Sequence, residues 1–472
     1  MTATRLGVPE RKAVLELRRC GILQTPGTLY QTRVGEDELR FTHHLLHDYA
    51  IARSVIPSAP VPFCEFAVRR ALLPIIYRQS FLFALQELWD LDEHRAAFWE
   101  STLKLEDVTK LHGLARILAP IIAARRVETP GDLEPLLDAI GSEPDAGSPS
   151  HKALLHLASG FQDVDPDLIS SGAAGWCAFV ERLAGFLPTK PFIEWPLVHI
   201  LARLNAADIA KDASQRLLLN AAGRQLLGYH VKQQVLRERQ YTARVAIETV
   251  CRTFDTAPAE SEHALLALMA PERVAQFPHH DLTDLAFNLK HICTDGDGIV
   301  RRLVESAFAV EPEPGHYEDT SSAIMNMRFQ TSDQWHMVRH ALAEYYEARN
   351  GENAALMTET ACIAWNAVVH RRSGRRKKEE LVLATIQFRG RACELIEDWS
   401  HIWGRRFEYE ENRILSHFEG LLRQWAAAGD SAHMSAALDR FAACNRTSLM
   451  WTVFLVPVRN ILPPWVPCSK AF

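Results

Sequence analysis

The sequence predicts a mainly all-α protein, and three observations lead to that fold class. Glycine supplies only 23 of the 472 residues, a share below the usual value of about 7%. Apolar side chains recur at the 3.6-residue period of a helix through most of the chain. The stretches that interrupt this period are short and polar. Helices joined by short turns are therefore favoured over sheets with tight turns.

The first 57 residues differ from the rest, because they combine helix and strand patterns. Glu10–Cys20 has helical spacing and is followed by Gly21, a residue type that commonly ends helices. Leu29–Arg33 and Glu38–Phe41 alternate like the strands of a β-hairpin. The next segment, 43–56, is predicted as a helix with this inward-facing stripe: Leu45, Leu46, Tyr49, Ala52 and Ile56. This order of elements predicts a winged-helix-like domain over residues 1–57.

Residues 58–472 carry one amphipathic helix pattern after another and almost no strand pattern. The predicted helices are Ala67–Leu88, Val108–Ala124, Leu133–Ile140, Ala153–Phe161, Ala174–Phe186, Ile193–Leu204, Ala213–Leu236, Ala243–Phe254, Ala264–Met269, Leu282–Ile292, Gly298–Val310, Gln334–Ala348, Ala354–Val369, Leu381–Ile396 and Arg413–Ala427. A HEAT-like α-solenoid, with about 40–47 residues per helix pair, suits this series; a plain helical bundle is the alternative. Residues 460–472 lack a polar capping helix, so we expect the array to be truncated at its C-terminus.

The charge balance and the cysteines narrow the class of protein. The chain has 52 basic and 58 acidic side chains, a net charge of −6, whereas chains that bind nucleic acid are usually basic. We therefore expect no nucleic-acid partner. No apolar run approaches the roughly 18 residues of a membrane-spanning helix, so we also expect no membrane partner. The nine scattered cysteines form no C-x-x-C pair, which is typical of free thiols in the cytoplasm.

The commonest catalytic motifs are absent from the sequence. It contains no G-x-x-x-x-G-K-[ST] phosphate loop, no G-x-S-x-G nucleophile motif and no H-E-x-x-H zinc motif. We therefore expect no catalytic residue, no metal and no cofactor in this chain, which would not be an enzyme. One alternative stays open: His43, His47 and Asp48 contain the doublet of HD-type metal-dependent phosphohydrolases, and His280 and Asp281 form a second doublet.

Two further groups of residues require a choice between a binding role and a structural role. The dense basic run at 370–378 offers six side chains to an acidic partner: Arg371, Arg372, Arg375, Arg376, Lys377 and Lys378. A solvated loop between helices is the alternative, because Glu379 and Glu380 follow directly. Seven tryptophans stand at core-like positions of the helix patterns and are expected to be buried: Trp89, Trp99, Trp195, Trp335, Trp365, Trp399 and Trp403.

Residues 39–53 resemble a segment of the winged-helix domains in STAND-type NTPases with NACHT-like modules. The resemblance rests on these residues in this order: Phe41, His43, Leu46, Asp48, Tyr49 and Ala52. The preceding Leu17–Leu23 is also similar. Ile324–Tyr346 looks like part of the helical repeats that follow the NTPase in large bacterial STAND proteins, and this diffuse likeness extends over most of the remaining chain.

The resemblance implies a regulatory role. Such proteins couple an effector to a nucleotide-gated NACHT core, a winged helix and a sensor solenoid, and many bacterial members act in defence against phage. It also implies that His43 can face bound ADP, with its imidazole donating to a phosphate oxygen; a histidine that only caps or packs the wing is the alternative. The effector and the P-loop module are missing from this sequence. ADP or ATP is thus expected only if another NTPase module supplies the site.

These observations together predict a non-catalytic sensor portion of a STAND, NACHT-like NTPase, as a split or truncated protein. Its winged helix would dock on a NACHT-like NTPase, and its solenoid would recognise a protein or another macromolecular ligand. Two other hypotheses stay open. One is a free-standing α-helical scaffold that binds partners regardless of nucleotide, and the other is the HD-type phosphohydrolase.

Overall fold

The structure is a computed structural model, and the chain is mostly helical within the residues that it describes. These are residues 23–24, 40–41, 44–69, 72–143, 145–207, 212–233, 240–276, 280–292, 296–309, 331–349, 353–372, 382–388, 390–396, 410–447, 450–451 and 453–454. Two antiparallel strand pairs accompany the helices. The predicted all-α class is therefore confirmed at this level.

The elements of the described residues follow one another in chain order. The α-helices are α1 His44–Ser54, α2 Pro60–Arg69, α3 Leu73–Ile76, α4 Arg78–Asp90, α5 Ala96–Asp107, α6 Gly113–Arg116, α7 Leu118–Arg126, α8 Glu134–Ser142, α9 Pro149–Phe161, α10 Pro166–Ser171, α11 Ala173–Gly185, α12 Glu194–Ala207, α13 Ala213–Gln233, α14 Gln240–Arg252, α15 Pro258–Leu266, α16 Pro271–Gln276, α17 His280–Asn288, α18 Asp297–Ala309, α19 Thr331–Ala348, α20 Ala354–Arg372, α21 Glu410–Ala428 and α22 Ser431–Cys444. The strands are β1 Leu23–Gln24, β2 Arg40–Phe41, β3 Val382–Phe388 and β4 Arg391–Ile396.

Several helices begin where the sequence offers a capping side chain. Ser148 Oγ accepts a hydrogen bond from the backbone N–H of His151 at 3.3 Å, and Pro149 follows it as the first residue of α9. Asp430 Oδ1 accepts from the backbone N–H of His433 at 3.1 Å at the start of α22. Each cap satisfies an N–H that has no partner inside the helix, and proline is well suited to the first helical position.

The chain divides into two compact units, of which the first is Met1–Ala222. Its described helices pack in two rows. In one row α1 packs on α4 and α4 packs on α7, while in the other α2 packs on α5, α5 on α9 and α9 on α12. Contacts between α7 and α9 join the rows. The helices of the first unit thus pack along each row and, through α7 and α9, also across the two rows.

The second unit, Gly223–Phe472, has the same kind of packing. One row runs through α14, α17, α19 and α21, and the other runs through α15, α18, α20 and α22. α14 begins at Gln240 and α17 at His280, a separation close to the 40–47 residues of HEAT repeats. The predicted domains, 1–57 and 58–472, stay a prediction.

A buried carboxylate organises the turn that follows α7 in the first unit. Asp132 is only 1% exposed, and its Oδ2 accepts hydrogen bonds from the backbone N–H groups of Glu128 and Thr129, each at 2.8 Å. Its Oδ1 accepts from Arg95 Nε at 2.9 Å, and its carbonyl accepts from Trp99 Nε1 at 2.7 Å. One residue thus connects this turn to the start of α5.

Two glycines allow the chain at the start of α11 to lie against the same turn. A Cβ atom on Gly172 would overlap the carbonyl oxygen of Val127, and one on Gly175 would lie 2.7 Å from the carbonyl oxygen of Thr129. Real Cβ atoms do not approach oxygen this closely. The position of α11 therefore depends on both residues having no side chain.

Two helix predictions are wrong because a proline interrupts the helix. The predicted helix Ala67–Leu88 is divided among α2, α3 and α4, with Pro74 in the first turn of α3. The predicted helix Val108–Ala124 is divided into α6 and α7, with Pro120 in the first turn of α7. Proline has no N–H and its ring collides with the preceding turn, so it is tolerated at a helix start but not in the interior.

The prediction of a helix at Leu381–Ile396 is also wrong, because β3 and β4 form an antiparallel hairpin there. Phe388 pairs with Arg391 across a two-residue turn, in which Gly390 has a φ of +75°. Glycine adopts this left-handed conformation at little cost. The β-branched residues Val382, Thr385 and Ile386 are enriched in strands, and here they outweigh the apparent helical spacing.

Candidate functional site

The described part of the predicted winged-helix segment begins with β1 and β2, and α1 follows. Leu23 lies opposite Phe41 in this antiparallel pair. The predicted hairpin partner of Glu38–Phe41, Leu29–Arg33, lies outside the described residues, so that hairpin stays a prediction. Residues 25–39 and His43 lie outside the described residues. The nucleotide-sensing role of His43 therefore stays a prediction.

Three of the motif residues hold α1 against α4. Asp48 Oδ1 accepts a hydrogen bond from Ser80 Oγ at 3.3 Å. The ring of Tyr49 meets the ring of Phe83 edge to face, with 5.7 Å between centroids. Ala52 is 1% exposed, and its small side chain allows close approach of the two helices. The motif therefore has a packing role in this structure.

The predicted inward stripe of α1 is only partly buried. Ala52 and Ile56 are buried, whereas Leu45, Leu46 and Tyr49 are 41%, 38% and 47% exposed. In the described residues α1 packs mainly on α4, which covers one side of the stripe. The prediction that all five residues face inward is therefore wrong.

The two His-Asp doublets behave differently. His47 Nδ1 lies 3.7 Å from Asp48 Oδ1, and the His47 side chain is 53% exposed. Asp281 is buried beside Arg273 and lies 3.4 Å from His230 Nε2. Burial alone would raise the pKa of Asp281, but His230 and Arg273 hold it below its usual value. Within the described ranges no group of three or more His, Cys, Asp or Glu side chains could hold a metal ion.

The basic run lies mostly outside the described residues. Arg371 and Arg372 end α20, but their side chains are not among those described. Arg375, Arg376, Lys377 and Lys378 lie in the stretch 373–381, for which the structure describes nothing. A contact role for this loop stays a prediction.

The prediction for the tryptophans is confirmed at four positions and wrong at one. Trp89, Trp99, Trp335 and Trp365 are each at most 2% exposed, and Trp399 and Trp403 lie outside the described part. Trp195 is 50% exposed. The buried side of α12 carries Leu197, Leu201 and Leu204. Trp195 does not share their helical spacing, so the sequence could have shown that its side chain faces away from the core.

Two ring contacts lie near the start of α12, where the side chain of Trp195 is exposed. The ring of Trp195 lies 4.1 Å from that of His199, centroid to centroid. One turn earlier, Phe192 lies 4.7 Å from His151 of α9. Burial lowers the pKa of His199. Exposed aromatic side chains of this kind are enriched in protein interfaces.

Comparisons with known proteins give no relative for this chain. No model of a known protein family matches it, and neither the curated proteins nor the solved structures include a match. Among the described residues, no helix combines the length and apolar character that a membrane crossing requires.

Proposed function

We propose that this chain is the non-catalytic regulatory and sensor portion of a STAND, NACHT-like NTPase. In this proposal a winged helix docks on a NACHT-like NTPase, and a HEAT-like α-solenoid recognises a protein or other macromolecular ligand. The chain works in the cytoplasm as a signalling component, with bacterial defence against phage as its setting. It hydrolyses no nucleotide itself.

The packing of the helices in rows is the observation that supports the proposal most. In both units, helices of one row contact the next helix of that row, as α14, α17, α19 and α21 do. Arrays of this kind expose a long surface relative to their core, and they use it to bind other macromolecules. A binding role therefore suits the packing better than a closed catalytic pocket does.

The segment before α4 supports the nucleotide-dependent part of the proposal. Asp48, Tyr49 and Ala52 fix α1 on α4, and His43 lies one residue before α1 in the sequence. A histidine that precedes a firmly packed helix can donate a hydrogen bond to a phosphate oxygen, and this bond would link the helix to the bound nucleotide. In this proposal His43 supplies that contact when an NTPase module binds.

Nucleotide-dependent association tests the proposal directly. The probe is a purified NACHT-type NTPase, titrated by interferometry against the purified chain with ADP or with a non-hydrolysable ATP analogue. We expect the dissociation constants in the two nucleotides to differ at least tenfold, and His43→Ala to remove that difference. His94→Ala, an exposed histidine of the same unit, is the matched control and should leave it unchanged.

Two outcomes would count against the proposal. Equal affinity in both nucleotides would favour the free-standing scaffold, for which the exposed ring of Trp195, packed against His199, is the supporting observation. Hydrolysis of nucleotide by the purified chain with Mg²⁺ or Mn²⁺, abolished by His47→Ala, would favour the HD-type phosphohydrolase.

A further inference from the structure

A buried carboxylate in the second unit holds two arginines from different helices. Glu359 of α20 has a side chain that is 9% exposed, and its Oε2 accepts a hydrogen bond from Arg301 Nε of α18 at 2.6 Å. Its other oxygen accepts from Arg440 Nη2 of α22. The three residues therefore come from three successive helices of one row.

Each guanidinium group keeps donors that Glu359 does not use. Arginine carries five N–H donors in a planar fork, and Arg301 and Arg440 each direct only one nitrogen to the carboxylate. Their side chains are 39% and 35% exposed, so the rest of each fork can reach solvent. Because both groups are tied to one carboxylate, their positions are fixed before any ligand binds.

The surrounding charges are positive in sum. Arg391 begins β4, which packs on α22, and the charges of Arg440, Arg301 and Arg391 oppose the burial that raises the pKa of Cys444. The Cys444 Sγ atom lies 4.0 Å from Glu359 Oε1, so the cations lie around the carboxylate. Asp297 is a second acid near Arg301, and burial raises its pKa. Three arginines therefore surround two acidic groups.

We propose that Arg301 and Arg440 form a binding site for a phosphate group. With Arg391 counted, the three arginines exceed Glu359 and Asp297 by one positive charge, and the side chains of Arg301 and Arg440 are partly exposed. Pairs of guanidinium groups bind phosphate oxygens through parallel, charge-assisted hydrogen bonds. The ligand is a free phosphate compound or a phosphorylated side chain, which offer the same chemistry. This site is independent of the function proposed above and requires no second protein.

The test measures binding of pyrophosphate, inorganic phosphate and a phosphoserine peptide by calorimetry with the full chain at low ionic strength. We expect saturable binding of at least one probe, weakened at least tenfold by Arg301→Gln and by Arg440→Gln. Arg302→Gln is the matched control, because Arg302 neighbours Arg301 but pairs with Glu305 at 3.2 Å. It should bind as the wild type does. Tight binding of the peptide alone identifies a phosphorylated protein as the source, and tight binding of pyrophosphate identifies a free compound.

A further variant keeps the test decisive if loss of an arginine unfolds the protein. Arg440→Lys preserves the charge beside Glu359 but loses the planar fork, so we expect a folded protein with several-fold weaker binding. No saturable binding by the wild type, an equal loss in Arg302→Gln, or full binding by Arg440→Lys would each overturn the proposal.

Discussion

The surroundings of the Asp284 carboxyl group favour its protonated form more than water does. Burial raises its pKa to about 6, Arg244 opposes this shift, and Asp281 and Glu248 add to it. An unfolded aspartate loses its proton near pH 4. The folded state therefore keeps a proton that the unfolded state has lost between about pH 4 and 6, and stability falls as the pH rises through that window.

Asp284→Asn should remove this dependence. We expect the variant to be more stable than the wild type at pH 7.5, by about 1 kcal/mol, and the gain to vanish below about pH 4, where the wild type is protonated too. Thermal melts across this pH range measure the effect. Asp107→Asn, at an exposed position, controls for the loss of a charge, and an equal gain there would refute the explanation.

Gly172 gives a second prediction for a single residue. Its missing Cβ leaves room for the carbonyl of Val127, and a methyl group there must displace backbone. Gly172→Ala should therefore lower the free energy of unfolding by about 2–3 kcal/mol in urea titrations. Gly113→Ala meets nothing within 4 Å and should be neutral or slightly stabilising. Similar effects of both variants would contradict the close approach described above.

The hairpin of β3 and β4 depends on the conformation of one residue. Gly390 has a φ of +75° and open space around its Cα, so only backbone strain opposes a side chain there. Gly390→Ala should cost about 1 kcal/mol of unfolding free energy. Gly420 also has open space but lies inside α21, and Gly420→Ala should stabilise by up to about 1 kcal/mol. Urea titrations in which both variants change the unfolding free energy in the same direction would contradict this assignment.

Some elements follow from the sequence and others do not. The helix predicted at 43–56 corresponds to α1, His44–Ser54, although three of the five residues of its predicted inward stripe are exposed. α5 was not predicted, because its inward side includes the polar residues Ser101, Thr102 and Glu106. The hydroxyls of Ser101 and Thr102 donate to carbonyls one turn earlier in α5, and Glu106 pairs with His156 at 2.6 Å. A search for apolar residues at helical spacing cannot detect a helix whose buried side carries polar groups that are hydrogen-bonded in this way.

The proposed phosphate site was also beyond sequence reasoning. Arg301 lies 58 residues before Glu359, and Arg440 lies 81 residues after it. No local spacing relates three such positions, and only the order of helices in the row brings them together. The basic run at 370–378, by contrast, can be recognised in the sequence because its residues are consecutive.

Packing in rows has a consequence for the stability of each unit as a whole. In a closed bundle most helices share one core and unfold together, whereas in a row each helix depends on its neighbours alone. Helices at the end of a row therefore lose fewer contacts when they open. Local stability should then vary along the chain within one unit.

Native-state hydrogen exchange on the full chain tests this packing, on which the proposed binding role depends. We predict graded opening free energies in the second unit, lower for amides of α21 and α22 than for those of α17 and α18, with separate dependence on denaturant. A single opening free energy shared by α14 to α22 would contradict the row arrangement and show one cooperative bundle instead.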